Sequence, residues 1–163
     1  MKRKLIFAAL VAGVLTFAFA INVQAKEAKY IDTDELQEIC EEVGEEFGIC
    51  PELLQALVER ESSGNIFAVN GDCKGLTQIS ERWHEERMER LGATDLFDPK
   101  GNIRVCADYL LELRSKNDDL YWVLMHYNMK HKTASRLYEA GRYTEYAIGI
   151  CERAAQLERE HGK

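Results

Sequence analysis

One glutamate in this sequence occupies a position from which a carboxyl group can act as a proton donor. On a helical wheel for residues 51–62 with Leu54 at zero, Glu61 falls at about −20°, in the middle of the apolar side chains. Glu52 and Glu59 fall at about 160° and 140°, and both are predicted to face solvent. Burial among apolar groups raises the pKa of a carboxyl group. A carboxyl group that is protonated near neutral pH can donate to a leaving group, as cleavage of a glycosidic bond requires.

The same position also suits a structural glutamate that Arg60 or another helix neutralises, and the wheel alone leaves both interpretations open. A second titratable partner is not obvious. Asp72, in the following loop, is the nearest acidic residue downstream. His84 and His126 can approach a cleft, although a single histidine on a helix more often has a structural role.

The five cysteines indicate no second reactive centre. Cys40, Cys106 and Cys151 lie on apolar helix faces, where cysteine acts as a small hydrophobic residue. Cys50 and Cys73 flank the candidate glutamate from loops, and a disulfide that involves Cys73 stays open. Because five is odd, at least one thiol is free or pairs with another chain. No Cys/His cluster has zinc-ligand spacing, so we expect no metal and no cofactor.

The elements that must position Glu61 are predicted to be helices. Apolar residues recur at helical period over about 33–47, 51–62, 81–91, 102–116 and 119–128, and in a last helix that contains residues 147–157. Between the second and third helices, residues 63–79 carry three glycines and two asparagines, which predicts a loop or hairpin. Ser80 is predicted to cap the third helix. The fold class is therefore mostly α, a single domain of about six helices with a small insertion after the helix of Glu61.

The N-terminal residues have the form of a secretory signal peptide. A basic stretch at residues 2–4 precedes an uncharged run at 5–21, and Val23 and Ala25 suit a cleavage site. We predict cleavage after Ala25, and the alternative is an uncleaved anchor. The remaining chain then divides into a short leader and the helical domain, with the expected bounds 1–25, 26–35 and 36–160.

Without the signal peptide, the chain has 18 basic and 28 acidic residues, a net charge of −10. Such a surface has no attraction for phosphate, so nucleic acid and anionic membranes are not expected partners. No later segment is apolar enough to cross a bilayer, so no stable membrane insertion is expected after processing. The sequence predicts an exported protein that is extracellular, periplasmic or associated with the cell wall.

Four segments, in order, resemble the catalytic domain of the soluble lytic transglycosylases. They are Glu61-Ser62, Gly75 to Ile79, Asn102-Ile103 with Tyr109-Leu110, and Tyr127-Asn128. The resemblance covers about residues 36–155. It implies a lysozyme-like, mostly helical domain with one catalytic acid/base and no essential metal.

The resemblance also implies roles for individual residues. Glu61 matches the catalytic glutamate, and Ser62 matches the supporting serine beside it. Gln78 matches a residue that lines the glycan cleft, where its amide can both donate and accept a hydrogen bond. Tyr127 matches a cleft tyrosine whose hydroxyl could orient Glu61, and the alternative is a core aromatic residue. Asn128 matches a cleft residue, although an asparagine at this place can simply end a helix.

Trp83 is a further candidate for binding substrate, because it follows the Gly75 to Ile79 segment closely and an indole ring can stack on a sugar. The chain also departs from the family's pattern. Thr77 replaces the usual methionine, Cys106 replaces a small residue that is often glycine, and Lys130 stands where glycine is common. The Thr77 change is expected to alter the wall of the cleft.

The function implied is cleavage of the β-1,4 bond between MurNAc and GlcNAc in peptidoglycan, with formation of a 1,6-anhydroMurNAc product. The N-acetyl group of the substrate takes the place of a second carboxylate in this reaction. Two alternatives stay open, a lysozyme-like muramidase that uses water and an inactive secreted domain that binds glycan or protein. The expected partners are peptidoglycan glycan strands and, for targeting, a component of the envelope machinery.

Overall fold

The computed structural model describes residues 29–163, which form seven α-helices and one small antiparallel sheet. The helices are α1 (Thr33–Phe47), α2 (Pro51–Ser62), α3 (Glu81–Leu91), α4 (Pro99–Arg114), α5 (Leu120–Asn128), α6 (His131–Glu139) and α7 (Glu145–Glu160). The strands are β1 (Val69–Asn70), β2 (Cys73–Lys74) and β3 (Ile79–Ser80), paired in that order. The predicted mostly α class and the hairpin after α2 are confirmed.

The bounds of α1 and α2 follow from local chemistry. The side chain of Asp32 accepts a hydrogen bond from the backbone N–H of Asp34, at 2.9 Å, and so caps α1. Gly48 ends this helix with φ of 64°, a left-handed conformation that glycine adopts without a steric penalty. Pro51 occupies the first turn of α2, where its missing N–H is not needed. These bounds agree with the sequence prediction.

The other helices differ in part from the prediction. α4 begins three residues earlier than expected, at Pro99, because Asp98 caps it. α6 was not predicted at all. Ser80 is the N-cap residue of α3 as expected, but its hydroxyl makes no capping hydrogen bond. A capping side chain is therefore absent from α3.

The core lies between α2 and the helices that surround it. α2 packs against α1 and α7, while α4 packs against α1 and α5. Fully buried side chains from these helices fill the centre: Val43, Leu54, Leu57, Val58, Ile103, Leu113, Leu124, Met125, Ile150 and Leu157. Because α2 is covered on both sides, the residue at its C-terminal end has a fixed position.

Asn102 fastens the sheet to α4. Its Oδ1 accepts hydrogen bonds from the backbone N–H of Thr77 at 2.8 Å and from the Thr77 hydroxyl at 2.6 Å. Its Nδ2 donates to the carbonyl oxygens of Lys74 at 3.0 Å and Leu96 at 2.9 Å. Gly75 passes so close that a Cβ there would lie 2.4 Å from Nδ2 of Asn102. The amide of Asn102 therefore uses its full hydrogen-bonding capacity to hold the loop between β2 and β3.

Glu52 is not solvated, which corrects the prediction from the helical wheel. Its side chain is 2% exposed, and Oε1 accepts from Lys163 at 2.8 Å and from His161 at 3.0 Å. Burial disfavours the charged carboxylate, but the hydrogen bonds from Lys163, His161 and Cys50 outweigh it and lower the pKa of Glu52 to about 2. The C-terminal residues of the chain thus cover the N-terminal end of α2.

The described part of the predicted leader belongs to the folded domain. The backbone N–H of Ile31 donates to the carbonyl of Gly64 at 2.9 Å, and that of Ile66 donates to Lys29 at 2.8 Å. The predicted signal peptide, 1–25, lies outside the described residues. Within 29–163, no helix is both long and apolar enough to span a membrane.

All five cysteines are free thiols in the structure. Cys40 and Cys106 are buried in the core, as their apolar helix faces predict. Cys50 and Cys73 are half-buried, and Cys73 forms no disulfide. The fold between residues 29 and 163 therefore rests on packing and hydrogen bonds.

Candidate active site

Glu61 lies in the last turn of α2, and its carboxylate meets a tyrosine from α7. The hydroxyl of Tyr146 donates a short hydrogen bond to Oε1 of Glu61. Tyr146 is 9% exposed, so the bond lies in a place with little water. The guanidinium of Arg60 lies 5.7 Å from the centre of the Tyr146 ring. These contacts hold one carboxylate oxygen and leave Oε2 free of any partner among the described residues.

The surroundings of Glu61 favour its protonated form. Burial raises the pKa of Glu61, and the hydrogen bond from Tyr146 and the charge of Arg60 only partly oppose this effect. The net direction is upward from the ordinary value for glutamate. This agrees with the position of Glu61 on the apolar side of its helix. A carboxyl group in such a state is suited to donate a proton.

Ser62 lies beside Glu61, but its hydroxyl is used by the end of the helix. It donates to the carbonyl oxygen of Val58 at 3.3 Å and accepts from the backbone N–H of Gly64 at 3.2 Å. These bonds stabilise the turn in which Glu61 lies. Ser62 therefore stabilises the turn that contains Glu61, and its predicted role in substrate binding stays a prediction.

Four predicted site residues meet in one groove, of about 690 Å³, between the sheet, α3, α4 and the α5–α6 junction. They are Gln78, Trp83, Tyr127 and Asn128. Further residues line it from α3 and α4: His84, Arg87, Tyr109 and Glu112. Met129, Lys130 and His131 line its α5–α6 end. The groove is open and has both aromatic and polar walls, as a glycan site requires.

Gln78 has a narrower role than its amide group suggests. Its backbone is in the left-handed region, with φ of 51°. Its Nε2 donates to the carbonyl oxygens of Gly75 at 3.0 Å and Ala68 at 3.2 Å. The amide nitrogen is thus committed to the loop, and only Oε1 is left to accept a hydrogen bond from a ligand.

Tyr127 does not orient Glu61 through its hydroxyl, which corrects that part of the prediction. The hydroxyl donates to the carbonyl oxygen of Thr77 at 2.7 Å, and the Cys106 thiol also contacts both Tyr127 and Thr77. Thr77 is fully buried and is not among the residues that line the groove. Thr77 and Cys106, two departures from the family's pattern, are therefore neighbours in the structure and both contact Tyr127.

Trp83 and Asn128 are the exposed residues among the four predicted site residues in the groove. The Trp83 side chain is 74% exposed, and the Arg82 guanidinium lies 5.2 Å from its ring centre. Asn128 is the last residue of α5 and makes no side-chain hydrogen bond within residues 29–163. Both side chains can reach a ligand without the loss of an existing polar contact.

Glu61 and Ser62 do not line this groove directly, but the carboxylate is close to its wall. The charge of Glu61 contributes to the raised pKa of Cys73 and of Tyr127, and both of these residues line the groove. Asp72 lies at the exposed turn between β1 and β2. It has no hydrogen bond to Glu61, so the described residues pair Glu61 with a tyrosine and not with a second acid.

Tyr146 is the main residue that the sequence interpretation missed. It continues the apolar stripe of α7 that contains Ile150 and Ala154, so helical periodicity could have placed it in the interior. Periodicity could not show that its hydroxyl meets Glu61, which is 85 positions away along the chain. Arg87 was also missed, although it lines the groove and has a side chain that is only 11% exposed.

Comparison with known proteins identifies a family and a solved structure that this chain resembles. The model of a family described as Transglycosylase SLT domain matches residues 38–145. The fold is similar to that of an inactive mutant of lytic transglycosylase Slt from Pseudomonas aeruginosa, with a TM-score of 0.67 and 18% sequence identity. The match covers 77% of this chain and 24% of the Slt chain, so this chain spans about a quarter of the length of Slt. No curated protein sequence matches the chain.

Proposed function

Because the chain belongs to the transglycosylase SLT domain family, we propose that it is a peptidoglycan lytic transglycosylase with Glu61 as its catalytic acid and base. The observation that carries the proposal is the half-buried carboxyl group of Glu61, with a raised pKa, beside a groove lined by Gln78 and Tyr127. The proposed substrate is the glycan strand of peptidoglycan, and the bond cleaved is the β-1,4 bond between MurNAc and GlcNAc.

In the first step, Glu61 acts as an acid. Tyr146 holds Oε1, so the proton is on Oε2, the oxygen that no described residue occupies. Transfer of this proton to the glycosidic oxygen allows the bond from that oxygen to C1 of MurNAc to break. The carbonyl oxygen of the substrate's own N-acetyl group bonds to C1 and takes over the positive charge. This step supplies what a second carboxylate supplies in other glycosidases.

In the second step, Glu61 acts as a base. Its carboxylate removes the proton from the 6-hydroxyl of the same MurNAc, and O6 attacks C1 and displaces the acetamido oxygen. The products are a 1,6-anhydroMurNAc end and a free GlcNAc 4-hydroxyl, and Glu61 is again protonated. Water is not consumed. The hydrogen bond from Tyr146 stabilises the carboxylate between the two steps, because it is stronger to a charged acceptor than to a neutral one.

The groove binds the strand on which Glu61 acts. Trp83 offers an exposed ring for stacking on a sugar, Gln78 offers Oε1 as an acceptor, and Asn128 offers a free amide. Ser62 keeps the end of α2 in place. An exported location, with the signal peptide 1–25 removed, is part of the proposal because peptidoglycan lies outside the cytoplasm. A partner in the envelope machinery would supply targeting.

The test is incubation of the purified domain with purified peptidoglycan, followed by separation and mass analysis of the soluble products. The parent protein is expected to release muropeptides with 1,6-anhydroMurNAc ends. Glu61→Gln is expected to release none. Glu59→Gln is the matched control, since Glu59 lies on the same helix but forms an ion pair with Arg153 at 2.6 Å, away from Tyr146.

Each other outcome selects a different function. Reducing MurNAc ends in place of anhydro ends would identify a muramidase that uses water. No soluble product from a correctly folded parent protein, together with retention on peptidoglycan, would identify an inactive binding domain. Activity in Glu61→Gln equal to that of the parent would exclude Glu61 as the acid.

A further inference from the structure

His84 lies in the wall of the groove at a place where its helix is distorted. The backbone of α3 departs from helical geometry at this residue alone, with φ of −124° and ψ of 15°. The imidazole ring packs on the ring of Tyr109, with the ring centres 4.6 Å apart. Both residues line the groove. The distortion and the packing hold the imidazole on the groove side of α3.

Arg87 fixes the arrangement of protons on the His84 ring. Its Nε–H donates to Nδ1 of His84 at 3.3 Å. Since Nδ1 accepts this bond, the proton of the neutral imidazole is on Nε2. Arg87 cannot turn away easily, because its two terminal nitrogens form short ion pairs with Asp108 and Glu112 on α4. The imidazole of His84 is therefore held with Nδ1 as an acceptor and Nε2 as a donor.

The donor end of His84 is open to the groove. Nε2 has no hydrogen-bond partner among residues 29–163. It is also not one of the fully buried polar atoms there, so a ligand in the groove can reach it. The one fully buried side-chain polar atom without a partner there is Oγ of Ser80, the residue that precedes α3. Nε2 of His84 thus carries a hydrogen that no described residue accepts, and a ligand in the groove can accept it.

The charge of His84 is also set by its neighbours. Burial and the positive charge of Arg87 lower the pKa of His84 to about 4, and the opposing charge of Glu112 is the weaker influence. Tyr109, which packs on the ring, is uncharged at neutral pH. The imidazole is consequently neutral above about pH 5. A ligand in the groove meets a neutral N–H donor with a guanidinium behind it.

We propose that His84 is a specificity-determining residue that donates a hydrogen bond from Nε2 to the acetamido carbonyl oxygen of an N-acetylated sugar in the groove. The inference rests on the proposed function and adds to it a preference for N-acetylated over de-N-acetylated sugars. An amide carbonyl is the strongest neutral acceptor on such a sugar. A sugar without its acetyl group carries an ammonium group instead, which cannot accept the bond.

The proton arrangement can be tested on the free protein, without any substrate or activity. Long-range proton–nitrogen NMR correlations of the imidazole groups should show Nε2 of His84 protonated and Nδ1 unprotonated from pH 5.5 to 8, a range set by the pKa of about 4. Assignment follows from the His84→Phe spectrum. A charged ring at neutral pH, or a proton on Nδ1, would overturn the proposal whether or not the protein cleaves peptidoglycan.

The preference for N-acetylated sugars is tested by calorimetric binding of a tetramer of N-acetylglucosamine and of its fully de-N-acetylated counterpart. Neither probe contains MurNAc, so the proposed cleavage does not enter the measurement. The parent protein should prefer the acetylated probe. His84→Phe keeps the ring packing on Tyr109 and removes the donor, so it should bind the acetylated probe roughly 3- to 10-fold more weakly, the effect of one neutral hydrogen bond.

Two further variants separate the donor from a structural effect. His84→Gln retains an N–H donor and should recover part of the affinity for the acetylated probe. Glu85→Gln, an exposed neighbour on α3, should bind as the parent does. Equal affinity of the parent and His84→Phe for the acetylated probe, or no binding by the parent, would overturn the proposal. Release of anhydromuropeptides by the same preparation would show that the proposed function survives this result.

Discussion

The hydroxyl of Tyr146 on α7 donates a hydrogen bond to Oε1 of Glu61 on α2. This bond connects two helices that pack along each other through the core. It leaves one carboxylate oxygen for chemistry, and it is the strongest polar influence that opposes the effect of burial on the pKa of Glu61. The proposed catalytic group, Glu61, is thus positioned by a residue that lies far from it in the sequence.

Replacing Tyr146 with Phe should therefore change the pH profile as well as the rate. Removal of the hydrogen bond leaves burial less opposed, so the pKa of Glu61 should rise further and the alkaline limb assigned to this group should move to higher pH. Turnover should fall about tenfold, since a hydrogen bond to a charged group is lost between the two steps. Rates of product release measured from pH 4 to 9 would show both effects.

Tyr143→Phe is the control for this variant, because Tyr143 is exposed and stacks on Tyr121 away from Glu61. It should retain the parental profile. An unchanged profile in Tyr146→Phe would mean that the contact with Glu61 has no part in the reaction.

The difference in thermal stability between Glu61→Gln and the parent protein should depend on pH. The pKa of Glu61 is higher in the folded protein than in the unfolded chain, so its contribution to stability is complete below the unfolded pKa, about 4.3, and is lost as pH rises through the folded pKa. At pH 7 the variant should unfold at the same temperature as the parent or at a higher one. Below pH 4 the difference should disappear. A variant that is unfolded at pH 7 would make Glu61 a structural residue.

Glu52→Gln should behave in the opposite way. The pKa of Glu52 is lowered to about 2, so its contribution is present above the unfolded pKa of about 4.3 and is lost as pH falls through 2. At pH 7 the variant should lose about 1.5–3 kcal/mol of unfolding free energy, because a buried carboxylate loses charged hydrogen bonds. Denaturant unfolding of the variant and the parent protein at pH 7 and at pH 2.5 would measure this loss of unfolding free energy. Equal stability of variant and parent at pH 7 would show that Lys163 and His161 do not stabilise α2.

Asn102→Asp should loosen the sheet and so reduce activity indirectly. The two carbonyl oxygens that now accept from Nδ2 would face a carboxylate oxygen, and a buried site without donors disfavours that group. The variant should lose at least about 2 kcal/mol of unfolding free energy. Hydrogen exchange should increase first between β2 and β3. Asn117→Asp, a change of the same type in the loop before α5, is the control.

The sequence was sufficient for most of the helices and for the catalytic candidate. Periodicity and caps predicted α1 and α2 because Asp32, Gly48 and Pro51 act locally. The same wheel placed Glu61 correctly on the apolar side. α6 was missed, although Ala134, Leu137 and Tyr138 have the spacing of a helix face.

The remainder depends on contacts between distant parts of the chain. A wheel for α2 places Glu52 opposite the core, but the residues that follow α7 cover that side, so Glu52 is buried. Likewise the sequence could not show that Tyr127 contacts Thr77 and that Tyr146 contacts Glu61. Which of two tyrosines meets the carboxylate is decided by how α5 and α7 pack, and no local pattern encodes that packing.

The most direct test of the central claim is the mass of the glycan ends released from peptidoglycan in water labelled with oxygen-18. If Glu61 takes the proton of the 6-hydroxyl, the parent protein should release ends that are lighter than reducing ends by one water and carry no label, and Glu61→Gln should release none. Labelled reducing ends from the parent protein, or unlabelled anhydro ends from Glu61→Gln, would contradict the account.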